Sequence, residues 1–252
     1  MQDIFVEDVG SGTPLVLVHG FLGSSEIWRP QLSFFKDDFR VIVPALPGFG
    51  KSQAINSCDS IQCMAKSILI FLERKNIKNF HLLGHSMGGM VVQEMAKLAS
   101  EKILKLICYG TGPRGNIPGR FETMDESRKK LKVNGLESTA HRIAKTWFME
   151  RDKAKYFYLC SDAGKQTSID AADNGLVAMK NWSGVDELKN IKSKTLIIWG
   201  DQDKAYNYNQ VETLNNHIPD SELRIIKDCS HNVHLEKPDE FNKTVKEFLR
   251  GT

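Results

Sequence analysis

The sequence predicts an α/β fold: a doubly wound, mostly parallel sheet with a helical cap inserted between two of its strands. Three observations lead there. Short apolar runs bounded by Gly or Pro alternate with stretches of helical periodicity, one long block shows helical patterns and no buried strand, and a glycine-flanked serine falls where a strand run gives way to a helix. Strands buried on both faces read as continuous apolar runs, and parallel neighbours need a crossover between them, so this alternation points to a sheet covered on both sides.

Taken in order, residues 15–18 (LVLV) and 41–43 (VIV) read as buried strands. Helical spacing separates them, after the candidate N-caps Ser24 and Ser25. Residues 61–75 have helical periodicity, 80–83 form a strand run, 87–99 are helical again, and 104–108 supply another strand. From 112 to 186 the rhythm changes, with helical patterns near 124–133, 136–148 and 171–181. Strand character returns at 195–199 (TLIIW) and 222–226 (ELRII), and a helix closes the chain after Pro238, a residue suited to a first helical turn. One compact domain is expected, with core residues 1–111, a cap at 112–186 and the rest of the core at 187–252.

Composition narrows the partners. With 41% hydrophobic and 26% charged residues among 252, the chain sits in the ordinary globular range, which argues against disordered or fibrous classes. The balance of 34 Lys+Arg against 31 Asp+Glu leaves +3, spread along the chain, so no nucleic-acid footprint is expected. The opening MQDIFVEDVGSG has neither a basic start nor an apolar run, and no apolar stretch approaches the roughly 18 residues of a membrane helix. A cytoplasmic protein without a membrane partner is expected, a monomer or homodimer. Its five cysteines form no CxxC pair or zinc pattern, so free thiols and no bound metal are expected.

The chemistry concentrates in Gly84-His85-Ser86-Met87-Gly88, between the strand run ending at 83 and the helix opening at 87. Glycines there allow a turn too tight for a Cβ, and the turn presents the Ser86 hydroxyl as a nucleophile. The free N–H of Met87 at the helix start then faces any anion forming on an attacked carbonyl. A second donor is expected from the Phe21 N–H, in the His19-Gly20-Phe21 loop after the first strand. Serine needs a base, and of seven histidines only His231 and His234 follow the last strand to the same sheet edge. His231 stands nearer the strand end and is the expected base. Gly200-Asp201-Gln202-Asp203 follows the strand TLIIW; Asp203, deeper in that loop than Asp201, is the carboxylate expected to orient the imidazole.

These segments together resemble the α/β-hydrolase superfamily, from HGF near the start to HNVHLEKPDEF near the end. PALPGFGKS at 44–52 and GHSMGG carry the resemblance almost letter for letter; Ser230 stands where members often have Gly. The cap, judged from GTGPRG and SRKKLKVNGLESTAHRIAKTWF, is similar to that of enol-lactonases and carbon–carbon bond hydrolases. The resemblance implies attack by Ser86 on a small carboxylic ester or lactone through an acyl-enzyme, with no cofactor. Alternatives are a carbon–carbon bond hydrolase of a vinylogous diketone, acyl transfer to another acceptor, or a small-molecule receptor with little turnover. Within the cap, Trp147, Met179 and Trp182 are expected to line the pocket, alongside Met124, Phe148 and Met149, and Arg114, Arg120 and Arg142 are candidate clamps for a substrate carboxylate.

Overall fold

Apolar runs without a polar face must be covered on both sides, and helices do this across a seven-stranded sheet in the computed structural model, which describes residues 3–117 and 120–251. In chain order, strands β1 (Val6–Val9) and β2 (Pro14–Val18) lead through a single 3-10 turn to helix α1 (Arg29–Phe35) and strand β3 (Arg40–Pro44). Helix α2 (Ile61–Arg74), strand β4 (Phe80–His85), helix α3 (Met87–Leu98) and strand β5 (Ile103–Tyr109) follow. Helices α4 (Met124–Lys145), α5 (Phe157–Lys165) and α6 (Ile169–Asn181) intervene before strand β6 (Lys194–Gly200). The chain closes with α7 (Tyr208–His217), β7 (Ser221–Ile226), α8 (Val233–Glu236) and α9 (Pro238–Arg250).

The strand order is β1-β3-β2-β4-β5-β6-β7, parallel throughout except where β1 runs antiparallel to β3. Because β3 lies on one side of β2 and β4 on the other, the loops leaving the carboxyl ends of β2 and β4 part company there. Open α/β sheets leave a crevice at such a switch point. The central strand β4 is buried along its length, whereas the edge strand β7 is half exposed.

Local chemistry sets the helix starts. Ser60 Oγ accepts from the Cys63 N–H at the head of α2, Ser168 Oγ from Ala171 N–H at α6, and Thr123 with Glu126 forms a reciprocal capping box at α4. The two helical patterns near 124–133 and 136–148 are a single element broken at Gly135, whose φ of 77° no ordinary residue adopts cheaply. Strand β1, of sequence VEDV, has no apolar run to announce it; it is held by backbone pairing to β3 and by the Asp8–Arg40 ion pair. Helix α5 likewise had no pattern strong enough to predict it.

The expectation of free thiols needs correction. Cys58 and Cys63 form a disulfide across the turn entering α2, with Cα atoms 5.6 Å apart, while Cys108, Cys160 and Cys229 are free and buried. The turn brings the pair within bridging distance, which a spacing of five residues does not reveal. Among the described residues no helix is long and apolar enough to cross a membrane.

The junction of β2 with α3 depends on backbone contact: a Cβ on Gly88 would lie 2.4 Å from the Val18 carbonyl oxygen. Gly88→Ala is expected to cost about 3 kcal/mol of stability by urea denaturation, since backbone on both sides resists displacement. A loss within about 0.5 kcal/mol would mean that the two elements are not in contact there.

Candidate active site

Ser86 occupies the turn between β4 and α3 with φ 55° and ψ −118°, a strained conformation for a residue with a Cβ. Its backbone is held from both sides: the N–H donates to the Tyr109 carbonyl (2.9 Å), and the carbonyl accepts from Thr111 Oγ1 (2.8 Å) and the Gly89 N–H (2.9 Å). Glycines are needed where other chain passes. A Cβ on Gly84 would meet the Gly88 carbonyl at 2.2 Å, and one on Gly20 would meet the Ser86 Cβ at 3.0 Å. Ser86 itself is 9% exposed.

The loops after β6 and β7 converge because Gly200 lets them touch; a Cβ there would sit 2.3 Å from the Ser230 carbonyl oxygen. His231 Nδ1 donates to Asp203 Oδ2 at 2.8 Å, and both side chains are buried. Asp203 Oδ1 accepts from the backbone N–H groups of Ala205 (2.7 Å) and Tyr206 (3.1 Å), so both carboxylate oxygens are engaged. Asp201 instead serves the turn, donating its N–H to the Ile226 carbonyl and pairing with Lys227.

His234 lies beneath the site. The Tyr109 hydroxyl donates to the His231 carbonyl (2.9 Å), which leaves His234 Nδ1, 3.0 Å from that hydroxyl, to carry a proton toward it. His85 Nε2 donates to the same His231 carbonyl at 3.2 Å. At the other loop, His19 Nε2 accepts from the Leu46 N–H (3.0 Å), so its Nδ1 carries the proton donated to the Gly20 carbonyl (2.8 Å). That bond fixes the backbone next to Phe21. Burial pulls these imidazoles down from the usual histidine range: His19 to about 4, His234 to about 3, and His85 well below it, helped by the neighbouring His231.

A cavity of about 10 Å³ joins Ser86 and His231, bounded by Phe21, Leu22, Trp147 and Cys160 among others. Phe21 lines this cavity and Met87 follows Ser86 at the start of α3, and among the described residues neither backbone N–H donates to another protein group. Trp147 lines the cavity, but Met179 and Trp182 do not: the Met179 backbone abuts Gly115, and Trp182 Nε1 donates to Glu94 (3.2 Å). Of the arginines, Arg142 is spent on both oxygens of Glu122, and Arg114 sits in a backbone bridge to Ser183. Arg120 stands near the Asp203 loop.

Sequence reasoning missed Tyr109, Thr111 and Tyr206. Tyr206 stacks on the His231 ring at 5.8 Å and 17°. Only its position three residues beyond Asp203 gave a signal.

A family profile described as alpha/beta hydrolase fold matches residues 13–238. The chain is 26% identical to a 2-hydroxy-6-oxononadienedioate/2-hydroxy-6-oxononatrienedioate hydrolase of Comamonas testosteroni, over 98% of this chain and 91% of that protein. It is 27% identical to a dihydrolipoyllysine-residue acetyltransferase component of the acetoin cleaving system of Pseudomonas putida, covering 95% of this chain but spanning only 64% of that relative's length. Among solved structures, a thermophilic esterase from Thermogutta terrifontis superposes with a TM-score of 0.89 at 25% identity, covering 98% of this chain and 93% of the esterase.

The buried neutral histidines set a pH dependence of stability. Unfolded histidine titrates near 6.5, but His19 and His234 titrate near 4 and 3 in the fold, so below 6.5 the unfolded chain binds more protons. Stability is expected to be level above that pH and to fall by up to about 1.4 kcal/mol per pH unit for each such histidine on going down toward 4. Urea midpoints across this range measure it; midpoints that do not move would show that these imidazoles are protonated in the fold or exposed to water.

Proposed function

The chain belongs to the alpha/beta hydrolase fold family, and from that premise we propose that it is a serine hydrolase cleaving a small carboxylic ester or lactone. The observation that carries this reading is the 2.8 Å bond from His231 Nδ1 to Asp203 Oδ2 at a cavity that His231 shares with Ser86. With the Nδ1 proton committed to Asp203, Nε2 is the basic nitrogen, and it takes the Ser86 proton as the hydroxyl oxygen attacks the carbonyl carbon. Asp203 stabilises the imidazolium so formed. The carbonyl oxygen gathers negative charge within reach of the Phe21 and Met87 N–H groups, at the positive end of α3.

Collapse of this intermediate breaks the bond to the leaving alkoxide, which takes the proton from His231 and leaves an acyl group on Ser86. Water, deprotonated by His231, attacks that acyl carbon and frees the acid and Ser86. Ester plus water thus gives acid plus alcohol. The likeness to the Thermogutta esterase supports an ester substrate. The Comamonas relative favours a second reading, in which the same residues cleave a carbon–carbon bond beside a ketone.

A short-chain chromogenic ester, followed as product per mole of protein with Ser86→Ala alongside, tests the proposal. Many turnovers are expected, falling by about 10⁴-fold or more in the variant. One equivalent released and then no more would favour a receptor role, and equal activity in Ser86→Ala would overturn the assignment of the nucleophile.

A further inference from the structure

The cavity at Ser86, about 10 Å³, is about the space one water needs, too little for an ester. A second pocket of about 310 Å³ lies on the far side of the Asp203 loop, lined by Ile117, Arg120, Phe121, Asp203, Lys204 and Asn207. That volume is in the range of small-ligand sites. Tyr206, 3% exposed, has neighbours of both: Ala205 and Asn207 beside it in the chain line the second pocket, while its ring stacks on His231, its phenol lies beside the hydroxyls of Ser86 and Thr111, and the Arg120 charge acts on it.

The main chain of Tyr206 is pinned independently of its ring, which is buried against His231. Its N–H donates to Asp203 Oδ1, and its carbonyl accepts from Trp199 Nε1 at 2.9 Å. Displacement of the ring about its side-chain bonds would leave these main-chain bonds, and with them the carboxylate that orients His231, in place. Arg120 is placed to use the opened space. Its Nη1 donates to the Glu122 carbonyl at 2.7 Å and its guanidinium covers the Phe121 ring at 4.5 Å, whereas Arg142 takes up the Glu122 carboxylate. The remaining N–H groups of its fork suit a carboxylate, and the exposed Lys204 adds a second positive charge at the pocket.

We propose that Tyr206 is the gate of the Ser86 site and that its displacement joins the cavity to the Arg120 pocket, making the protein selective for acyl chains that end in a carboxylate. This rests on the serine-hydrolase reading and names its substrate class. Tyr206 and Arg120 act in substrate selection, while Ser86, His231 and Asp203 carry the bond-breaking steps.

The test compares p-nitrophenyl esters matched in length, the butanoate against the succinate half ester and the hexanoate against the adipate half ester, with the acetate as reference. The wild type is expected to favour the acid-ended ester by about tenfold in kcat/KM at one length or both, the scale of a charge-assisted pair. Arg120→Gln is expected to bring that ratio to about one, and Arg120→Lys, which keeps the charge without the fork, to an intermediate value. Tyr206→Ala is expected to raise kcat/KM for the six-carbon esters relative to the acetate by about tenfold, since the gate is gone. A wild-type ratio near one at both lengths, with the acetate still turned over, overturns the proposal and leaves the serine-hydrolase reading standing. An unshifted chain-length profile in Tyr206→Ala overturns the gate. No turnover of the acetate by the wild type, or equal turnover by Ser86→Ala, brings down the underlying reading itself.

Discussion

Ser86 is held with a φ of 55°, a backbone conformation that costs about 1–3 kcal/mol for a residue with a side chain, and much of the surrounding structure serves to keep it there. The turn persists because its N–H and C=O are both taken, by the Tyr109 carbonyl and by Thr111 and Gly89. Tyr109 ends β5 and Thr111 follows it, so the register of β5 against β4 places both partners. A slip of that register would release the turn. The glycines at 20, 84 and 88 answer the same demand, since each stands where backbone or the Ser86 side chain passes too close for a Cβ.

Tyr109 links the two halves of the site. Its carbonyl accepts from the Ser86 N–H, and its hydroxyl donates to the carbonyl of His231, 122 positions away in the chain. One residue thus sets the backbone of Ser86 through its main chain and that of His231 through its side chain. Around it, His85 and His234 are buried and neutral, which lets their ring nitrogens serve as fixed hydrogen-bonding groups without bringing positive charge next to His231. The same burial makes the assembly sensitive to acid.

The segment between β5 and β6 is bound to the histidine loop rather than merely resting on it. The Asn232 N–H donates to the Trp147 carbonyl at 3.0 Å, and Glu236 accepts from the Ser230 N–H at 2.7 Å and the Met149 N–H at 2.6 Å. The position of this segment and that of the imidazole are therefore coupled through one backbone bond and the Glu236 carboxylate. With the site this closed, admission of a substrate calls for motion of a side chain such as Tyr206 or of the cap itself.

The sequence by itself determined the fold class, because apolar runs, helical periodicity and the punctuating glycines are local properties of the chain. The strand-to-helix turn at Ser86 was legible for the same reason. What lies across the sheet was not. Whether Asp201 or Asp203 meets His231 depends on where two loops converge over Gly200, and the placing of Trp147 at the cavity, with Met179 and Trp182 outside its lining, depends on how the helices between β5 and β6 dock. The Cys58–Cys63 bridge, the polar edge strand β1 and the stacking of Tyr206 on His231 also left no periodic trace. Each is a contact created by the packing of one element on another, and a one-dimensional pattern records only the tendency of each element taken alone.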